Sequence, residues 1–213
     1  MRLPSRARIP WVFLAVALAT LVIGAGDWRE VLLYDRSAVV AGEWWRLWTG
    51  HLVHFGWPHF VADAGLFVIL GFLLEPKQPV LARLALLWIP AGISLAIFLF
   101  DPGMERYGGL SAFNLGLLLF YAGQGWRKNW TDWFWPAVLV IYAGELVFEM
   151  TIGQGQGGGM IKFDDPEVHV ATTAHFAGTA GGLILLLIDH KLSPPAQPPV
   201  KTVAENQPPA PRS

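Results

Sequence analysis

In a chain of 213 residues with only 15% charged side chains, the groups able to do chemistry are few enough to name. They are His51, His54, His59 and Asp63 in one apolar stretch, Ser111 and Asn114 in a second, Glu145 and Glu149 in a third, and His169 and His175 in a fourth. A serine beside a histidine suffices for acyl transfer: the imidazole takes the hydroxyl proton as the oxygen attacks a carbonyl, then returns it to the leaving amine. Gly108-Gly109-Leu110 precedes Ser111. A tight turn there can open into a helix whose first N–H groups lack intrahelical partners and can hold an oxyanion. His175 is followed at 178 and 182 by glycines, the small-xxx-small spacing that lets one helix approach another closely enough for a Ser–His bond. His59 and Asp63, four apart, stack on one helical face.

Other chemistries fit less well. The absence of cysteine removes disulfides, thiol nucleophiles and Cys-based zinc sites. A metal centre of His51, His54, His59 and His175 is the weaker reading, because zinc proteases set a Glu beside the first His as general base. Leu52, Phe55 and Phe60 occupy those places here. No metal and no cofactor are expected. With 15 Lys and Arg against 16 Asp and Glu, the chain also lacks the one-signed charge of a nucleic-acid binder, so no nucleic-acid partner is expected.

The elements that must position these groups are membrane helices. Apolar residues make up 54% of the chain, and long stretches run nearly without charge: Ile9 to Gly26, Leu47 to Leu74, Leu84 to Phe100, Tyr107 to Trp126, Trp133 to Ile152 and Val168 to Ile188. Each is about long enough for ~30 Å of hydrocarbon at ~1.5 Å per residue. The fold class predicted is an all-α membrane protein, a six-transmembrane-helix bundle spanning residues 9–190. A basic N-terminus (1–8) and a Pro-rich disordered tail (191–213) flank it on the cytoplasmic side. Asp27 to Trp57, with Trp44, Trp45, Trp48 and Trp57, is predicted to be a structured outer connection between helices 1 and 2, lying in the interface. Eleven Trp fit aromatic belts at the bilayer surfaces. Alternating the connections puts ten of the 15 Lys and Arg on one side, so both termini are assigned to the cytoplasm. Ser111 then lies about 6 Å and His175 about 10 Å below the outer face, in one layer with His59 and Asp63.

These motifs resemble those of the rhomboid intramembrane serine proteases. Trp45-Arg46 followed by Thr49-Gly50-His51-Leu52-Val53-His54 and His59 resembles the family's Trp-Arg motif and its His-rich entry to helix 2. Gly109-Leu110-Ser111 resembles the Gly-x-Ser-Gly nucleophile motif, and Ala174-His175 with Gly178 and Gly182 matches Ala-His-x-x-Gly-x-x-x-Gly in the last helix. Within the family the chain looks most like the bacterial rhombosortase branch, on Gly42-Glu43-Trp44-Trp45-Arg46-Leu47, Tyr34-Asp35-Arg36, Tyr107 and Val168-His169-Val170.

The resemblance implies a Ser111–His175 dyad in a bacterial inner membrane, opening toward the outer face. It implies single-span membrane proteins as substrates, cleaved at carboxy-terminal Gly-Gly sorting signals. His59 and Asp63 are the oxyanion-supporting pair, with Trp45, Arg46, His54, Gly109, Gly178 and Gly182 as motif support. The chain departs from the pattern at Ala112, where the motif has Gly, and at Asp63, where many members have Asn. A protonated Asp63 could donate to the oxyanion, whereas an ionised one would repel it and could only accept a bond from His59. These departures favour the alternative, a catalytically inactive rhomboid-like protein that binds transmembrane helices. Glu149 is a candidate for the substrate entrance or a structural bond, and the 153–159 glycine run is either a linker or a mobile lid.

Overall fold

The computed structural model describes residues 9–151 and 171–192, leaving aside the side chains of residues 145, 146, 149 and 150. The expectations placed on Glu145, Glu149, the 153–159 run, His169 and both chain ends lie outside these described groups. In chain order the elements are α1 (Trp11–Ala25), α2 (Arg29–Leu32), β1 (Tyr34–Asp35), α3 (Arg36–Val40), α4 (Arg46–Thr49), a 3-10 turn (Gly50–Leu52), α5 (Trp57–Leu74), α6 (Pro79–Phe100), β2 (Arg106–Tyr107), α7 (Ser111–Lys128), α8 (Phe134–Thr151) and α9 (Thr172–Leu192).

Among the described residues, α5, α6 and α9 are long and apolar enough to cross a bilayer, while α1 and the apolar part of α8, Phe134–Gly144, are shorter. The helices turn large apolar side chains outward, Leu87, Phe100, Val140 and Ile141 among them. A surface of that kind is stable against lipid rather than water. The chain is a multi-pass membrane protein.

Helix boundaries differ from the expected spans for local reasons. α1 is shorter because Pro10 stands at its N-cap and Gly26 is extended. The expected span from Leu47 divides in two. Gly50 lies so close to Tyr34 that a Cβ there would stand 2.8 Å from the Tyr34 nitrogen, which holds residues 46–52 against β1. Gly56, with φ +100°, then turns the chain into α5, where a proline occupies the first turn. His51 and His54 therefore precede the helix that carries His59 and Asp63. The helix expected from Tyr107 begins at Ser111 instead, since Tyr107 pairs with Tyr34 in a two-residue antiparallel ladder.

The segment between α1 and α5 is fastened by polar side chains to backbone carbonyls. Arg46, buried, donates to the Glu30 and Leu33 carbonyls at 2.9 and 2.7 Å and pairs with Glu43 at 2.6 Å. Trp45 Nε1 donates to the Val31 carbonyl at 3.2 Å and Thr49 to that of Leu32 at 2.7 Å. Arg36 fastens the far end of α6, donating to the Ile97 and Asp101 carbonyls at 3.0 and 2.8 Å, which also accept the Asp101 and Met104 backbone N–H groups. Asp35 caps α3, and hydrogen bonds from Ser37 and the Ala38 N–H hold its carboxyl below its ordinary range.

At the opposite end of the bundle, buried Glu75 accepts from the Phe13 N–H at 3.3 Å and pairs with Arg83 at 2.9 Å. Buried Asp189 accepts from Gln78 at 3.1 Å and from Arg127. The start of α1 and the end of α9 thus share one end, and Ser111 faces the other. Between them the core packs Phe13 on Phe67, ring centroids 4.7 Å apart, with Ile89, Ile93, Phe113 and Leu117 around it.

Candidate active site

The closest helix contact in the fold brings α7 and α9 together backbone to backbone. A Cβ added to Gly178 would fall on the Ala112 carbonyl, one on Gly182 would fall on the Gly116 carbonyl, and one on Gly116 would fall on the Gly178 carbonyl. Only glycine permits this approach, which in a membrane is stabilised by van der Waals packing rather than by solvent exclusion. Its consequence is local: Ser111, the first residue of α7, places its Oγ 3.0 Å from Nε2 of buried His175. Gly178→Val is expected to push the helices apart and to slow any reaction that needs the Ser111–His175 contact about 100-fold, the scale of an ångström's misplacement. Gly144→Ala, at a glycine with nothing within 4 Å of its added Cβ, should leave that reaction unchanged.

The turn before Ser111 is held from α5. Gly109 has φ +116°, and a Cβ there would stand 2.8 Å from the His59 ring and 3.1 Å from Asp63 Oδ2. The next residue, Leu110, donates its N–H to Asp63 Oδ2 at 2.8 Å. On the same oxygen converge His54 Nε2 at 3.2 Å and His59 Nε2 at 3.1 Å. The tautomer of His59 follows from its other nitrogen: Nδ1 accepts the Phe55 N–H at 3.3 Å, so the proton sits on Nε2 and is directed at Asp63. Asp63 Oδ2 is accordingly an acceptor for the Leu110 N–H and the His59 N–H together. Asn114 adds a second tie between the helices by donating to the Asp63 carbonyl at 2.9 Å.

His54, His59 and Asp63 also offer ligand atoms all within 4.8 Å of one another. A metal-bound imidazole ordinarily donates its other ring N–H to an acceptor. The second nitrogen of His59 instead faces a donor, so this trio fits a hydrogen-bonded cluster better than a metal centre. His51 is not part of it: it lies buried against α6, with Nε2 2.9 Å from the Pro90 carbonyl and 3.0 Å from Ser94 Oγ.

Of the residues singled out from sequence, the structure brings Ser111, His175, Gly109, Gly178, His54, His59 and Asp63 into one neighbourhood, and Gly182 one turn further along the α7–α9 contact. Trp45 and Arg46 lie apart from it, bonded to the Val31, Glu30 and Leu33 carbonyls in the segment that backs the Tyr34–Tyr107 ladder. Asn114 was visible as a polar residue in an apolar helix, yet its partner, a backbone carbonyl on α5, has no signature in sequence. The same holds for Arg36 and the end of α6.

The Rhomboid domain family model matches residues 41–192, from just before the Trp45-Arg46 pair to the end of α9. A Bacillus subtilis (strain 168) protein named "Putative rhomboid protease YdcA" is 29% identical over 115 residues, which is 54% of this chain and 39% of that protein. The chain thus aligns with about two fifths of that relative's length. With most of its residues matched by the domain model, the chain belongs to the rhomboid family.

Proposed function

We propose that the chain is an intramembrane serine endopeptidase of rhomboid type that cleaves single-span membrane proteins with a Ser111–His175 dyad. The observation carrying this reading is the 3.0 Å contact of Ser111 Oγ with His175 Nε2 at a glycine-lined helix contact. Ser111 donates its proton to Nε2 as Oγ bonds to the scissile carbonyl carbon. The tetrahedral intermediate then collapses, and His175 gives that proton to the leaving amine. Water attacks the acyl ester, His175 again taking a proton, and Ser111 is restored as the acid product leaves. Backbone N–H groups at the start of α7, that of Ser111 first, supply the oxyanion's donors. Asp63, as carboxylate, does not donate to the oxyanion. Together with His59 it supports the hole at one remove, by holding the Leu110 N–H and hence the turn that aims Ser111.

The helices α1, α5, α6, α7, α8 and α9 are read as six spans, with both termini on the cytoplasmic side of a bacterial inner membrane and the site opening outward. The support is the ten-to-five split of Lys and Arg that alternating the connections gives in the sequence. Exposed Trp residues fall into two groups that suit the two interfaces: Trp28, Trp44, Trp45, Trp48 and Trp57 near the site, and Trp11, Trp126, Trp130 and Trp133 at the far end. The rhombosortase-like motifs make carboxy-terminal Gly-Gly signals the substrate class. Purified protein should cleave a single-span protein ending in such a signal, and Ser111→Ala should not. Cleavage of a single-span substrate lacking Gly-Gly at the same rate would remove the substrate class and leave the peptidase. A protein that binds these substrates and cleaves none would be the inactive family member instead.

A further inference from the structure

Two hydroxyls that the dyad does not use lie directly beneath it. Tyr142 of α8 is buried, 5% exposed, against Leu115 and Leu118 of α7, and its hydroxyl is hydrogen-bonded to Thr179 Oγ1 on α9. Thr179 stands one turn after His175, and its own hydroxyl donates to the His175 carbonyl at 2.7 Å. A hydroxyl carries a single proton, and that of Thr179 is engaged by the carbonyl, so Tyr142 is the donor in the bond between the two side chains. The bonds therefore run in one direction, from Tyr142 to Thr179 to the backbone of the turn that bears the catalytic histidine. Chains of this sense strengthen one another in a low dielectric.

That turn is held from two sides. On one, Gly178 rests on the Ala112 carbonyl of α7, next to Ser111. On the other, Tyr142 fixes Thr179. The geometry points to Tyr142 as a positioning residue for the reaction: by way of Thr179 it sets the seating of the His175 turn against Ser111, so that the dyad is complete only while α8 is docked. This inference rests on the dyad reading of the site. The phenol reaches the dyad through Thr179 and the His175 backbone, so its effect should appear in the rate constants of the chemistry and not in substrate affinity.

The test uses the full-length protein in detergent or bilayer, with a small fluorophosphonate as a probe of Ser111 and a single-span substrate for kcat and KM. Tyr142→Phe keeps the ring and its packing. It should slow both labelling and kcat about fivefold, the scale of one hydrogen bond, with KM unmoved. Thr179→Val should reproduce this loss and Thr179→Ser, which keeps the hydroxyl, should restore it. The Tyr142→Phe, Thr179→Val double variant should be no slower than Thr179→Val alone, because the two act through one chain. A Tyr142→Phe protein with lowered melting temperature but wild-type labelling and kcat would reduce the bond to a structural role and overturn the inference, as would additive losses in the double variant. Wild type that resists the probe altogether would instead sink the dyad reading beneath it.

Discussion

Ser111→Ala and His175→Ala are expected to abolish cleavage of a single-span substrate equally, each lowering kcat on the order of 10⁵-fold, with the double variant no worse than either. The equality is the informative part. If Oγ attacks only as Nε2 accepts its proton, removing either atom removes the whole step, and a second removal has nothing left to act on. Ser111 is only partly buried, and its replacement by alanine deletes one bond at a helix start. Thermal melting of the Ser111→Ala variant should therefore stay close to wild type while turnover is lost. A His175→Ala protein that kept near-native turnover would show that Ser111, if it reacts, does so with another base.

Asp63→Leu is expected to produce the next largest loss, about 100-fold in turnover, the scale on which misdirected donors at an oxyanion site are felt. Three groups converge on Asp63 Oδ2: the Leu110 N–H at 2.8 Å, His59 at 3.1 Å and His54 at 3.2 Å. Leucine would strand them in a buried place, where an unsatisfied donor costs about 1–3 kcal/mol, and would release the turn that carries Ser111. Asp63→Asn separates the two roles open to this position. An amide oxygen can still accept, though bonds to a neutral acceptor are roughly half as strong as those to a carboxylate. The Asn variant should thus fall about tenfold, and its pH–rate profile should not extend to higher pH. Were Asp63 a neutral acid donating to the oxyanion, its donation would fail as it ionised with rising pH. Asn, which donates at every pH, would then match or exceed wild type and work further into the alkaline range.

Much of the site's composition was legible in the sequence because polar groups are conspicuous in apolar helices. Ser111 with its preceding glycines, His175 with glycines three and seven residues on, and the His59–Asp63 pair each followed from spacing alone. What spacing could not supply was partner identity. That Asp63 accepts the Leu110 N–H depends on where a turn 47 residues later passes α5, and no local pattern encodes that. The chain of hydroxyls from Tyr142 to Thr179 was hidden for a related reason: tyrosine and threonine are ordinary residues in membrane helices, and only the crossing of α8 over α9 makes them a pair.

Helix boundaries were misplaced where hydropathy and backbone geometry disagree. Leu47 to Leu74 is apolar apart from Thr49, its histidines and Asp63, so a hydropathy reading runs straight across it. Gly56 at φ +100° and Pro58 divide it nonetheless. The same competition moved the start of α7 to Ser111, since the chain's pairing of Tyr107 with Tyr34 consumes residues that are apolar enough to be helical. Both shifts matter for the site: they put Ser111 at a helix N-terminus, where backbone donors gather, and leave His54 on irregular chain, where it can turn toward Asp63.

The most direct measurement is to react the native membrane protein with a fluorophosphonate, digest it, and locate the adduct by mass spectrometry. The account predicts one modified residue, Ser111, labelled in wild type and not in Ser111→Ala, with His175→Ala labelled at a small fraction of the wild-type rate. An adduct on any other residue, or wild-type labelling kinetics in His175→Ala, would contradict it.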